Sequence, residues 1–257
     1  MSRPPAREWL AWLGMLLAGP LYAIAGGEQP TEASFAAETP WAVVLAQDSG
    51  PDVCTGSLIS SRFVLTAAHC AHDGRFVLWG NRSKTAARRI AVREVIRHPQ
   101  YTSQPNAYDI GLLRLVRPLH VRPVAIAGRA ESWALLRSAS SATILGWGHT
   151  VTGVERPDIL LRMEIQFADL RIIGTHIAYD TPRGGPCGGD SGGPLLITGH
   201  DGQPVLVGVA SITDGNLCAK GGGMAGYTDV ASRLDFIREN VPDLPERPPP
   251  LEFGPGL

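Results

Sequence analysis

Ser191 lies in a stretch of bare backbone that suits nucleophilic chemistry. The segment GGPCGGDSGGPLL, residues 184 to 196, contains six glycines in thirteen positions. Because glycine has no Cβ, the backbone N–H groups of such a segment can approach a bound group closely. A serine hydroxyl is a weak nucleophile until a neighbouring base takes its proton and a third group orients that base. The sequence must therefore supply a base and an orienting group elsewhere.

A histidine and an aspartate are the candidates for these two roles. His69 follows an apolar run in LTAAHC, and Asp109 opens an otherwise apolar run in YDIGLL. Burial of the Asp109 carboxylate would be costly without a partner. Taken alone, a histidine at a strand end is more often structural, and an aspartate that opens a strand is usually a turn residue. Together with GDSGGP, the three residues predict a nucleophile, a base and an orienting carboxylate.

The segments TAAHC, YDIGLL and GDSGGP, in the order His, Asp, Ser, resemble the trypsin/chymotrypsin family of serine proteases. The resemblance runs from about Ile24 to Asn240. It implies an all-β fold of two antiparallel six-stranded β-barrels, with the site in the cleft between them, and a C-terminal helix. It also implies that Ser191 attacks the peptide carbonyl, that His69 takes and returns the proton, and that Asp109 orients the imidazole.

Further features are implied by the same resemblance. The backbone N–H groups of Gly189 and Ser191 would form the oxyanion hole. The disulfides would be Cys54–Cys70 and Cys187–Cys218, although four cysteines by themselves allow three pairings. The expected partners are protein or peptide substrates, with protein inhibitors as further candidates, and the expected state is a monomer. We expect no cofactor and no metal.

The specificity pocket departs from that of trypsin, which carries an aspartate six residues before the nucleophile. Here that position is Gly185, and the wall positions are Thr213 and Ala225. Ser211 matches the serine that starts the segment pairing with the substrate backbone. We expect a shallow neutral pocket, as in elastase-like members, that accepts small or medium aliphatic residues before the cleaved bond.

Two alternatives stay open on the sequence. Asp180 or Asp214 lies near the pocket in sequence, and either would restore a preference for basic residues if it pointed inward. A catalytically silent relative that uses the β-barrels as a binding module is the rival function. The complete set of catalytic residues argues against that rival, and the start of the mature chain argues for it.

The N-terminus has the pattern of a secretory signal peptide. Arg3 and Arg7 precede a short apolar run, residues 10 to 18, and small residues follow at Ala23 and Ala25. The run is shorter than the ~20 apolar residues that span a bilayer. We therefore expect residues 1–23 to be removed and the protein to be secreted, extracellular or periplasmic, without a membrane partner. Export also suits disulfide formation.

The start of the mature chain determines whether the site can become active. Ile24-Ala25-Gly26-Gly27 resembles the family's free N-terminus, whose ammonium pairs with the aspartate before the nucleophile, here Asp190. No Lys or Arg directly precedes Ile24, so cleavage by a trypsin-like activator is not expected there. Signal cleavage after Ala23 would release Ile24 directly, whereas cleavage after Ala25 would discard it.

The remaining composition positions these residues on short strands. The chain has 30 glycines and 21 prolines between short runs rich in Val, Ile, Leu and Thr, which is typical of all-β barrels or sandwiches. We expect one β-barrel over residues 24–124, a second with a terminal helix over 125–240, and a disordered Pro-rich tail over 241–257. Residues 117 to 140 are expected to be a linker. The net charge of −1 gives no support for nucleic-acid binding.

Overall fold

The computed structural model describes most of the chain. The described residues are 24, 27–103, 107–149, 157–166, 170–174, 176–180, 184–213 and 223–247, and at positions 51, 52, 170, 179 and 213 they include the backbone only. The predicted signal peptide, Asp214 and Cys218 lie outside these ranges.

The first half is a closed antiparallel β-barrel of six strands. The strands are Ala42–Gln47 (β1), Gly50–Leu58 (β2), Phe63–Thr66 (β3), Arg75–Trp79 (β4), Arg88–Arg97 (β5) and Gly111–Leu115 (β6). Their order is β1-β2-β3-β6-β5-β4, and β4 pairs back with β1. Leu45, Leu58, Leu65 and Leu112 are fully buried in the resulting core. The predicted first six-stranded barrel is confirmed.

The second half is a β-sheet of eight strands in the part of the chain that the structure describes. The strands are Ala125–Ile126 (β7), Ser141–Gly146 (β8), Leu161–Gln166 (β9), Leu170–Ile173 (β10), His176–Asp180 (β11), Pro194–Thr198 (β12), Pro204–Thr213 (β13) and Met224–Asp229 (β14). Seven strands pair antiparallel in the order β10-β11-β14-β13-β12-β8-β9, and β7 pairs parallel with β13. The predicted all-β class is confirmed, whereas the second half, predicted as another six-stranded barrel, is an eight-stranded sheet within the described residues.

Helices are few and short. They are Glu32–Glu38 (α1), Arg129–Ser138 (α2), the one-turn 3₁₀ helix Ala231–Arg233 and Leu234–Asn240 (α3). The C-terminal helix is confirmed, whereas α1 and α2 were not expected, and α2 occupies the segment interpreted as a linker. Both helices are short and bury only a few residues each, so apolar periodicity is weak there. No helix within the described ranges is both long and apolar enough to cross a bilayer.

The described chain packs against the rest of the protein beyond α3, over residues 241–247 of the segment expected to be a Pro-rich tail. Val241 is buried, and Leu244 packs against the core. Arg247 Nε donates to Glu131 Oε1 at 2.6 Å, and its Nη2 donates to Asp201 Oδ1 at 2.9 Å. These ion pairs hold the segment against α2 and against the turn between β12 and β13, which composition alone could not reveal. The tail beyond residue 247 lies outside the described residues.

We expect replacement of Arg247 by methionine to destabilise the protein by about 3 kcal/mol, because it leaves the buried Glu131 carboxylate without its cation. The Arg247 and Glu131 side chains are only 10% and 8% exposed. Urea unfolding gives the free energy of unfolding. The matched control is Arg129→Met, since Arg129 and its partner Asp235 are 58% and 74% exposed, and such a pair contributes at most about 1 kcal/mol. Equal losses in both variants would contradict the assignment.

Candidate active site

Two neighbouring strands of the first barrel bring His69 and Asp109 together. His69 follows β3 and Asp109 precedes β6, and these strands pair with Thr66 opposite Gly111. The histidine and the aspartate therefore meet at one end of the barrel. His69 Nδ1 lies 2.7 Å from Asp109 Oδ2, and the His69 backbone N–H donates to Asp109 Oδ1 at 3.0 Å.

The second half of the molecule adds two further bonds to Asp109. Ser211 Oγ donates to Asp109 Oδ2 at 2.6 Å, and Thr228 Oγ1 donates to the Asp109 carbonyl at 2.9 Å. The carboxylate is completely buried, yet both of its oxygens accept hydrogen bonds. An acceptor at Nδ1 places the imidazole proton there, which leaves Nε2 able to accept a proton.

The field of Asp109 also reaches Tyr101. Burial, and after it the negative charge of Asp109, raises the pKa of the Tyr101 phenol. The phenol therefore stays neutral at physiological pH. It lines a cavity of about 730 Å³ that also includes His69, Arg97, Thr102 and Ser103. The His69 imidazole therefore borders this cavity, together with the neutral Tyr101 phenol.

The loop that carries Ser191 packs directly onto the first barrel. The Ser191 carbonyl accepts from Thr55 N at 2.9 Å and lies 3.6 Å from the sulfur of Cys70, the residue after the histidine. A Cβ added at Gly192 would lie 2.0 Å from Thr66 Oγ1 and 2.4 Å from the Thr55 carbonyl oxygen. Only glycine allows this approach, which packs the Ser191 loop against β2 and the segment that carries His69.

Two N–H groups around the serine have no hydrogen-bond acceptor among the described residues. Gly189 has a φ of +100°, a conformation that favours glycine. Within the ranges that the structure describes, neither Gly189 N–H nor Ser191 N–H has an acceptor. The neighbouring N–H groups do have acceptors, namely those of Asp190, Gly192 and Gly193. Two unused donors on alternate residues are the arrangement that binds a developing oxyanion.

Asp190 is buried in a slot made for its carboxylate. Oδ1 accepts from Gly148 N at 2.7 Å, and Oδ2 accepts from Cys187 N at 2.8 Å. A Cβ at Gly146 would lie 2.0 Å from Asp190 Oδ1, and one at Gly148 would lie 2.6 Å from its Cγ. The Gly-Trp-Gly turn of residues 146–148 therefore needs its glycines to admit this side chain.

Ile24 is also buried, within the apolar cluster of the second half. Its carbonyl accepts from Gly27 N at 2.6 Å. Because Ile24 is joined to Ala23 in this chain, its nitrogen is an amide. The ammonium–carboxylate pair with Asp190 stays a prediction.

Three of the four predicted pocket residues lie on the paired strands β13 and β14. Ala225 on β14 is fully buried and pairs with Thr213 on β13 and Tyr179 on β11. Gly185 is buried in the segment that leads to the nucleophile. The fourth residue, Ser211, precedes Thr213 on β13, and its hydroxyl donates to Asp109 Oδ2. The Thr213 side chain lies outside the described atoms.

Of the two aspartates that could restore a preference for basic residues, Asp180 lies within the described ranges and Asp214 does not. Asp180 is half exposed at the end of β11, where its Oδ2 accepts from Arg171 Nη2. Its charge is therefore paired with an arginine of the neighbouring strand β10. Asp214 lies outside the described residues.

One of the two predicted disulfides is confirmed. Cys54 and Cys70 are bonded across β2 and the histidine turn, with their Cα atoms 6.1 Å apart. Because their sulfurs are bonded to each other, the group that they form with His69 offers no thiolate pair to a metal ion. Cys187 is buried, and the predicted partner Cys218 lies outside the described residues.

Sequence reasoning missed three hydroxyl groups that build the site. Thr55 Oγ1 donates to the Gly189 carbonyl at 3.2 Å, and Thr228 supports the backbone of Asp109. Ser211 was assigned to the pocket only, whereas its hydroxyl also bonds the carboxylate. A threonine or serine on an apolar strand is a weak signal, because its partner is known only once the strands are placed.

Comparison with known proteins gives a consistent picture. The family model described as Trypsin matches residues 24–237. The chain is 31% identical to "Trypsin 5G1" of Aedes aegypti, covering 91% of this chain and 89% of that protein. It is 28% identical to "Trypsin" of Saccharopolyspora erythraea, covering 85% and 98%. It is 30% identical to "Ovochymase-2" of Mus musculus, covering 85% of this chain and 41% of that longer protein.

Proposed function

Because the chain belongs to the trypsin family of serine proteases, we propose that it is a secreted serine endopeptidase that cleaves proteins through an acyl-enzyme. The observation that carries the proposal is the buried Asp109 bonded to His69 Nδ1 at 2.7 Å, with the Ser191 loop packed beside that pair. Catalytic hydrogen bonds are often long in the absence of substrate. The hydrogen bond between Ser191 Oγ and His69 Nε2 is therefore proposed to shorten when substrate binds.

The proposed role of each residue is the one that the family resemblance assigns to it. Ser191 Oγ attacks the peptide carbonyl carbon while His69 Nε2 takes its proton, and the carbonyl oxygen becomes an anion. The N–H groups of Gly189 and Ser191 bind that anion. His69 then gives its proton to the leaving amine, which breaks the C–N bond and leaves an ester on Ser191. Water then takes the place of the amine. His69 takes a proton from the water as it attacks the ester carbonyl, and gives that proton to Ser191 Oγ, which releases the carboxylic acid.

The proposed specificity is for small or medium neutral residues before the cleaved bond. It is supported by Gly185, which supplies no charge where trypsin has a carboxylate, and by the Ala225 wall. Pairing with Arg171 argues against Asp180 as a receptor for basic side chains. One methylene in such a pocket changes the transition-state energy by only about 1–3 kcal/mol, so the preference should be loose.

Maturation is proposed to begin with removal of residues 1–23 on export. A free Ile24 ammonium would then approach the buried Asp190 carboxylate, which already holds two backbone N–H groups. Burial of such a pair is costly, so the pair acts as a switch rather than as a source of stability. No cofactor is part of the proposed reaction.

The test is cleavage of a mixed peptide library by the secreted product of the full-length chain, with cleavage sites read by mass spectrometry. We expect cuts after Ala, Val and similar residues, and no cuts from the matched Ser191→Ala protein. Cuts after Arg or Lys would retain the mechanism and reject the pocket. Absence of cuts from a protein whose sequenced N-terminus is Ile24 would reject the endopeptidase and favour a binding module.

A further inference from the structure

Tyr108, directly before the catalytic aspartate, has an unusual backbone. Its φ is +56°, in the left-handed region, and Ile24 is the other non-glycine residue with positive φ in the described ranges. A bulky residue rarely adopts this conformation and keeps it only where the surroundings hold it there. The Tyr108 carbonyl accepts from Ile110 N at 2.8 Å, which closes a three-residue turn around Asp109. The backbone conformation of Tyr108 is therefore coupled to that of Asp109 through this turn.

Arg233 and His98 contact the Tyr108 ring, and Phe236 packs on His98. We call these three side chains the Tyr108 clamp. The Arg233 guanidinium carbon lies 4.1 Å from the centre of the Tyr108 ring, within range of a cation–π contact. The His98 ring stacks on Tyr108 at 4.8 Å with an angle of 24° between the planes. Phe236 on α3 contacts the other partner, His98, at 4.9 Å.

The clamp is connected to the backbone on both sides of Asp109. His98 N donates to the Ile110 carbonyl at 3.1 Å, so the stacked histidine also bonds the residue after the aspartate. Burial, and after it the positive charge of Arg233, lowers the pKa of His98. A neutral His98 imidazole can stack on the Tyr108 ring without charge repulsion from Arg233, which packs on the same ring.

We propose that Arg233 is a positioning residue for Asp109, holding Tyr108 in its left-handed conformation so that the carboxylate faces His69 Nδ1. Where activity is the readout, this inference rests on the proposed function. The hydrogen bonds from Ser211 and Thr228 anchor the carboxylate and the carbonyl of Asp109, whereas the clamp acts on the residue before it. Loss of the cation should let Tyr108 relax and turn Asp109 away from the imidazole.

The closing experiment follows the His69 Nδ1 proton by proton NMR, because a hydrogen bond to a carboxylate shifts that proton far downfield whether or not the protein turns over substrate. His69→Ala assigns the signal. We expect Arg233→Met to abolish the signal and Arg233→Lys to retain it, since lysine keeps the cation. The matched control is Arg89→Met, which removes a guanidinium 3.6 Å from the Phe76 ring, in the wall of the first barrel. That control should leave the signal intact.

A Tyr108→Asn background distinguishes a positioning role of Arg233 from a role in the packing of α3. Asparagine tolerates left-handed backbone, so Tyr108→Asn should retain the signal without a clamp. Adding Arg233→Met to Tyr108→Asn should then change nothing. Loss of the signal in this double variant would show that Arg233 acts through α3 and would overturn the inference, as would survival of the signal in Arg233→Met alone.

Activity gives a separate readout. In an active enzyme, Arg233→Met should lower kcat by ~10–100-fold, the scale of a small misplacement, with KM nearly unchanged. If no protein hydrolyses peptides while the NMR signal follows the expected pattern, the proposed function fails and the positioning role stands. If the enzyme is active and the NMR signal is unchanged in Arg233→Met, the proposed function stands and the positioning role fails.

Discussion

Replacement of Asp109 by asparagine is expected to lower kcat for peptide hydrolysis by about 10⁴-fold, the loss known for this change in the family's triad. In this structure both carboxylate oxygens accept from donors: Oδ2 from His69 Nδ1 and Ser211 Oγ, and Oδ1 from His69 N. Either orientation of an amide therefore sets its NH2 group against a donor. When that group faces Nδ1, the imidazole holds its proton on Nε2 and cannot accept the proton of Ser191.

The measurement is kcat on the best library peptide, with thermal unfolding to show that the variant is folded. Asp48→Asn serves as the control, because Asp48 is exposed and pairs with Arg89 on the barrel surface. It should change kcat less than twofold. A loss below about 100-fold for Asp109→Asn would fall short of what positioned acid–base catalysis supplies, and Asp109 would not be the orienting group.

Replacement of Gly192 by alanine is expected to abolish hydrolysis and to lower the free energy of unfolding by about 3–5 kcal/mol, through overpacking and an unfavourable positive φ. The added methyl would lie 2.4 Å from the Thr55 carbonyl oxygen and 3.1 Å from Ala67 N, both backbone atoms. Neither can move without displacing β2 or the histidine turn. The Ser191 loop must move instead, and the nucleophile leaves its base.

Gly202→Ala is the matched control for this change. Gly202 has a φ of +74°, close to the +79° of Gly192, but an added Cβ would meet no atom within 4 Å. The control therefore carries the conformational cost of about 1–2 kcal/mol without the contact. It should leave kcat unchanged, measured with unfolding by urea on both variants. Equal effects in the two variants would show that backbone conformation, not packing of the serine loop, is the constraint.

Local patterns in the amino-acid sequence account for much of the site. A nucleophile needs a base and an orienting group, and the family order of TAAHC, YDIGLL and GDSGGP predicted His69, Asp109 and Ser191. Local patterns did not predict the helices α1 and α2, since short helices stabilised by tertiary packing show little apolar periodicity. The packing of residues 241–247 was not predicted either, because it depends on Arg247 reaching Glu131, 116 residues away in sequence.

The sequence by itself determined the β class and the glycines of the serine loop, and it predicted the reacting groups, because each of these inferences rests on local residue patterns. The tertiary structure alone decided which groups support them. Ser211 and Thr228 meet Asp109 from 102 and 119 residues away, and the C-terminal helical segment brings Arg233 onto Tyr108. Such contacts depend on strand register and packing between distant segments, and neither is encoded in any short stretch of the chain.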